Sequence, residues 1–198
     1  QAGAFTASSW LYLYYIYNPT TDTKALIFSA TAPPTGATLP SGYTLWAFIC
    51  ALRWNASSNF IATTLSGAWV NYVNADTDAM ALSGGTAATF ASVTISQFVP
   101  PQPTCPQYQV RVAATTGGVT VAANTVCSIG VQLSTDGTNS YTQASMQLVT
   151  GGAAGDVILN PAPIRLPTPS LYYKIVKTGA TSVLNYIVTQ AYENSNGG

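Results

Sequence analysis

Short apolar and aromatic runs alternate with clusters of Gly, Pro, Asn, Asp and Ser along the whole chain. The runs are β-branched and aromatic, and none shows a convincing 3.6-residue period, so they predict strands and not helices. Residues 9–17 form the first run. Asn18-Pro19-Thr20-Thr21-Asp22 then supplies turn chemistry, with Pro presetting φ and Asp able to cap the turn. Residues 24–30 return, which predicts a hairpin. Residues 32–42 are a loop rich in Pro, Gly and Thr, and residues 43–54 are the longest apolar run. Its Thr, Trp, Phe, Ile and Cys content favours a buried strand over a helix. Residues 55–59 form a second turn into a strand at 60–65, which Gly67 separates from another at 68–73; residues 74–78 are polar and turn-like.

Residues 86–99 alternate over part of their length, with Phe90, Val93, Ile95 and Phe98 as core candidates. Pro100-Pro101-Gln102-Pro103-Thr104-Cys105-Pro106 follows, too proline-rich for a central strand or a helix. It divides the chain into an aromatic-rich lobe (1–99), a crossing (100–106) and a Val/Thr/Gly-rich lobe (107–198), unless the whole is one continuous domain. In the second lobe, strands are expected at 108–114, 125–133, 141–149 and 156–160. Gly117-Gly118, Asp136-Gly137 and Gly151-Gly152 are read as turns. Tyr108, Val110 and Val112 share one face. Residues 161–169 are a proline-rich connector, and 171–177 and 183–192 read as a closing hairpin around Thr178-Gly179-Ala180. The expected class is all-β: an antiparallel sandwich or barrel-like arrangement, jelly rolls included.

Composition narrows the chemistry. The 198 residues carry six basic and six acidic side chains, a net charge of zero and no histidine. Ordinary soluble domains place charge on about a quarter of their residues, and here the figure is 6 %. The six cations are scattered, which excludes a phosphate-neutralising surface and hence nucleic acid as a partner. An uncharged surface is a solubility risk for a free monomer, so it points to an oligomer or a covered surface. No apolar run reaches the length of a membrane-spanning helix. Residues 10–17 come nearest and are too short. Gln1 follows no initiator Met or basic leader, and the strand pattern begins almost at once, so the sequence is expected to start inside a longer chain.

Without histidine, Ser-His-Asp and Cys-His catalysis fall away. Asp76 and Asp78 are the only closely spaced acids. They read first as a solvated turn, second as a weak Ca²⁺ site with Asn74 and Thr77, and last as a catalytic pair. Cys105 and Cys127 are able to close a disulfide loop of about 20 residues, worth roughly 3 kcal/mol. The alternative makes them, with Cys50, small buried apolar residues. No cofactor or metal is expected. Asn55-Ala56-Ser57 fits a glycosylation pattern but reads better as a turn. Trp54, Trp69 and Tyr72 flank turns, where aromatics serve as ligand or subunit contacts if they are not simply core.

The segment Ser8-Ser9-Trp10-Leu11-Tyr12-Leu13-Tyr14-Tyr15-Ile16-Tyr17-Asn18-Pro19-Thr20-Thr21 resembles a strand and turn of tailed-bacteriophage virion proteins of the tail-fibre or minor structural kind. The similarity continues in order through Thr31-Ala32-Pro33-Pro34, Leu39-Pro40-Ser41-Gly42-Tyr43-Thr44, Cys50-Ala51-Leu52-Arg53, Phe98-Val99-Pro100-Pro101 and Gln109-Val110-Arg111-Val112. Leu65-Ser66-Gly67-Ala68-Trp69 departs from the basic stretch those proteins often carry, and the last 85 or so residues match only in style. The resemblance implies a virion structural protein of the tail, a tail fibre or an appendage. It would be assembled in the host cytoplasm, exposed on the particle and built as a homotrimer. Its partners would be other virion proteins and a host surface glycan or protein. A polysaccharide depolymerase and a bacterial surface adhesin or carbohydrate-binding module are the alternatives.

Overall fold

A computed structural model describes residues 5–33, 35–101, 108–121, 127–148, 152–153, 158–159, 163–178 and 180–193. These residues are nearly all antiparallel β-structure, as the sequence pattern predicts. They divide into two units. One holds residues up to Val73 with Pro100, Pro101 and Glu193, and the other holds residues 74–99 and 108–192.

The first unit is built on a three-stranded sheet. Strand β1 (Ser9–Asn18) lies between β2 (Thr23–Ser29) and β3 (Leu45–Trp54), antiparallel to both. The expected hairpin is present: Tyr17 faces Lys24 and Tyr15 faces Leu26 across it. Asn18 sets the turn by accepting the Thr20 amide at 3.0 Å, the short-range bond that favours Asx residues there. Alternation then sorts the side chains. Tyr12, Tyr14 and Ile16 of β1 join Ile27 and Ala51 in a core. Residues of the 32–43 connection, including Leu39 and Tyr43, pack over that core. Tyr14 is fully buried and its hydroxyl donates to the Thr31 carbonyl at 2.7 Å. Burial and the neighbouring Tyr12 push its pKa up to about 12. A bulge at Leu13/Tyr14 shifts the register against β3.

Strand β3 was expected to be buried throughout. Its middle is, at Cys50 and Ala51, but its first three residues are exposed, Leu45 by 55 %. Nothing in an apolar run states which of its residues a neighbour covers. Downstream, β4 (Thr63–Ser66) and β5 (Trp69–Tyr72) form a hairpin. Gly67 turns it at φ +57°, at the first central position of a two-residue loop where a side chain is disfavoured.

The second unit opens with a single helical turn, α1 (Ala75–Asp78), where a polar turn was expected. Its strands are β6 (Met80–Ser83), β7 (Ala91–Thr94), β8 (Tyr108–Val121), β9 (Cys127–Ser134), β10 (Thr142–Leu148), β11 (Gly152–Ala153), β12 (Ile158–Leu159), β13 (Ile164–Leu166), β14 (Ser170–Thr178) and β15 (Ala180–Glu193). One sheet runs β10-β9-β14-β7. The other is centred on β8, which pairs with β15 along one edge and with β11, β12 and β13 along the other. Two expectations fail here. Gly117 and Gly118 lie inside β8 and are not a turn. The strands at 171–177 and 183–192 are real but do not pair with each other: β14 pairs with β9 and β7, and β15 with β8 and β6.

The buried residues come from both sheets. Val131, Leu133, Leu171, Tyr173 and Ile175 belong to one, and Val110, Val112, Ile164, Leu166 and Ile187 to the other. That is the two-layer arrangement of a β-sandwich. Val93, Ile95 and Phe98 are core as expected, whereas Phe90 is only half-buried. The loop between β9 and β10 is organised by Asp136. Its carboxylate accepts the Thr138 and Asn139 amides at 2.8 and 2.9 Å, the Asn139 side chain and the Ser134 hydroxyl. These donors hold its pKa well below the usual carboxylate range, the Asn139 amide most.

Candidate functional site

The sheet of the first unit has a second face. Residues 9, 11, 13, 15 and 17 of β1 point away from the core, and what covers them changes along the strand. At one end Leu11 and Cys50 are fully buried. Phe60 lies across this end, its ring 4.7 Å from that of Phe28 and 4.8 Å from that of Trp54, with Phe5 edge-on to Trp54 at 6.1 Å. At the hairpin end the cover stops. Leu26 is 62 % exposed and Tyr15 37 %. Tyr15 and Leu26 are register partners, and Ala47 faces Tyr15 from the other side.

Ala47 is too small to fill the space beside the Tyr15 ring. A cleft of about 420 Å³ opens there, lined by Tyr15, Tyr17, Asp22, Lys24, Leu45, Trp46 and Ala47. Tyr17 donates its hydroxyl to Asp22 Oδ1 at 3.0 Å, and this bond raises the phenol pKa. Asp22 holds a left-handed φ of +52° in the hairpin turn, a conformation Asp tolerates better than most residues. The cleft therefore combines aromatic and aliphatic walls with one carboxylate and one ammonium at its rim. It can take up an apolar surface and hydrogen-bond polar groups beside it.

The residues singled out from sequence fall elsewhere. Trp54 is half-buried at the covered end of this same face, and its indole N–H is buried with no acceptor among the described residues. Trp69 is half-buried in β5, and Tyr72 is buried at 6 % exposure. Asp76 and Asp78 share α1, and no cluster of three metal-ligating side chains occurs among the described residues. Cys105 lies outside the described residues, as does the side chain of Cys127, so the proposed disulfide falls outside them too. Cys50 is buried, and burial pushes its thiol up to about 11, which leaves it unreactive.

Sequence reasoning missed Tyr15, Tyr17, Leu26 and Leu45. A usable signal existed. A tight turn after Asn18 sets Tyr17 against Lys24, and the alternation Lys24, Leu26, Phe28 then places Leu26 on the face that carries a charge.

No family model matches the chain, and no curated protein matches it. Among solved structures it is similar to one described as the structure of infectious bursal disease virus Gx strain. The identity is 12 % and the TM-score 0.26, over 99 % of this chain and 54 % of that one. A likeness at that level says nothing of function.

Proposed function

We propose that this chain is a structural protein of a tailed-phage virion, part of the tail, a tail fibre or another appendage, with no enzymatic activity of its own. It works as a β-rich homo-oligomer, a trimer on the resemblance of residues 8–112. It presents surfaces to neighbouring virion proteins or to the host. The observation that supports this reading most is the open half of the β1–β2–β3 face. Leu26 and Leu45 stand more than half exposed on the sheet, and apolar surface of that kind marks a contact site when it is contiguous. The sparse charge points the same way. A depolymerase would use paired acids, but Asp76 and Asp78 sit on one helical turn and Asp136 is committed to its own loop.

Mass spectrometry of density-purified particles, with immunogold labelling of the same preparation, tests the proposal. The chain is expected in the particle with gold on the tail or its appendages. Particles that lack the chain while the lysate contains it would overturn the reading.

A further inference from the structure

We infer that the cleft beside Tyr15 is a binding site for a neutral saccharide, a short oligosaccharide of hexopyranose rings. The inference rests on the reading of the chain as an appendage protein that presents this face, and it names what the hairpin end of the face contacts.

Four observations carry it. First, Tyr15 is 37 % exposed as a residue, lines the cleft and makes no ring contact among the described residues, unlike Tyr14 one position away, whose ring meets Trp46 edge-on at 5.3 Å. An open aromatic face attracts the slightly positive C–H face of a pyranose through its negative π-surface. Second, the volume of about 420 Å³ lies within the range of roughly 300–1,000 Å³ usual for small ligands. Third, the rim is polar in a particular way. Asp22 Oδ1 takes the Tyr17 hydroxyl, while Oδ2 and the Lys24 ammonium have no protein partner among the described residues. A carboxylate accepts and an ammonium donates, which suits the vicinal hydroxyls of a sugar. Fourth, the two charges cancel. One cation beside one anion gives no net attraction for a phosphate, a sulfate or an acidic sugar, so the ligand is neutral. In a chain with only 6 % charged residues, two of opposite sign flank this cleft.

The turn prepares the site. Asn18 fixes the backbone through the Thr20 amide, and the Tyr17–Asp22 bond fixes the carboxylate. Little ordering is then left for the ligand to induce.

Saturation-transfer NMR on the full chain tests this with a panel of neutral gluco-, galacto- and manno-configured trisaccharides. Transfer to ring C–H protons of at least one sugar is expected, with a millimolar dissociation constant. Tyr15→Ala should abolish the transfer and Asp22→Asn should weaken binding about tenfold or more. Asn keeps the turn conformation, so the second variant guards against misfolding of the first. Three results would overturn the inference. One is no transfer from any sugar at about 10 mM, where a millimolar site would be filled. Another is transfer that neither variant changes. The third is a concentration-dependent oligomer that shields Tyr15 from chemical modification, which would make the cleft an interface between copies. None of the three touches the presence of the chain in particles, so the appendage reading stands or falls separately.

Discussion

At the scale of single residues, Tyr14 and Tyr15 show how one position decides a role. Both are tyrosines of β1, yet one is fully buried and the other stands open. Removing the Tyr14 hydroxyl with Tyr14→Phe leaves the Thr31 carbonyl without its donor and should cost about 1 kcal/mol. Tyr14→Ala also leaves a cavity and should cost about 3–5 kcal/mol in denaturant unfolding. Tyr15→Ala, at a side chain 37 % exposed, should cost less than Tyr14→Ala, about 1–2 kcal/mol. Asp136 gives a pH dependence. Its folded pKa lies below the unfolded value near 3.8, so its stabilising contribution is complete above that value and is lost as pH falls through and below it. The thermal midpoint should therefore drop between pH 5 and the acid range below 3.8, and Asp136→Asn should flatten that drop. A variant with the same acid slope as the parent would show that the carboxylate contributes nothing. Gly36 holds φ +78°, and a Cβ there would meet the Trp46 ring at 2.6 Å. Gly36→Val should accordingly destabilise the 32–43 connection over the core by at least about 1 kcal/mol, read as a lower unfolding midpoint.

At the scale of elements, local signals were legible and long-range partners were not. The β1–β2 hairpin could be read because Asn18-Pro19 and Asp22 encode its turn within a few residues; at Gly67 the break between two strands was legible, and their pairing as a hairpin was not read. Thr178-Gly179-Ala180 looked the same, yet β14 and β15 go to different sheets. A Gly-containing connector permits a tight turn, but strand partners are chosen by the faces that get buried. Gly117-Gly118 misled for the converse reason: they fall where β8 shifts register against β15, an irregularity inside a strand that glycine accommodates. The cleft was hidden because residues 10–17 are apolar at nearly every position, which erases the alternation that marks an exposed face. The sheet assignment has a direct check. Val131 and Ile175 are cross-strand partners and both are buried. A double-mutant cycle to alanine should show a coupling above about 0.5 kcal/mol. Coupling near zero would argue against the β9–β14 pairing.

At the scale of the whole molecule, the two units treat their apolar residues differently. The second unit buries apolar residues from two sheets. The first unit packs a core on one sheet face and leaves the hairpin end of the other open. A face that only packs within the chain would be closed along its length, as it is at the Phe60 end. The open hairpin end is the surface through which the proposed role on a particle would be exercised. The decisive measurement is made on particles carrying Leu26→Ser and Leu45→Ser in this chain. Both side chains are more than half exposed, so the thermal midpoint of the isolated protein should hardly move. Particle assembly or adsorption to the host is expected to fall at least tenfold. Particles that assemble and adsorb like the parent, with the variant chain present at full occupancy, would contradict the claim that this face is what the molecule exists to present.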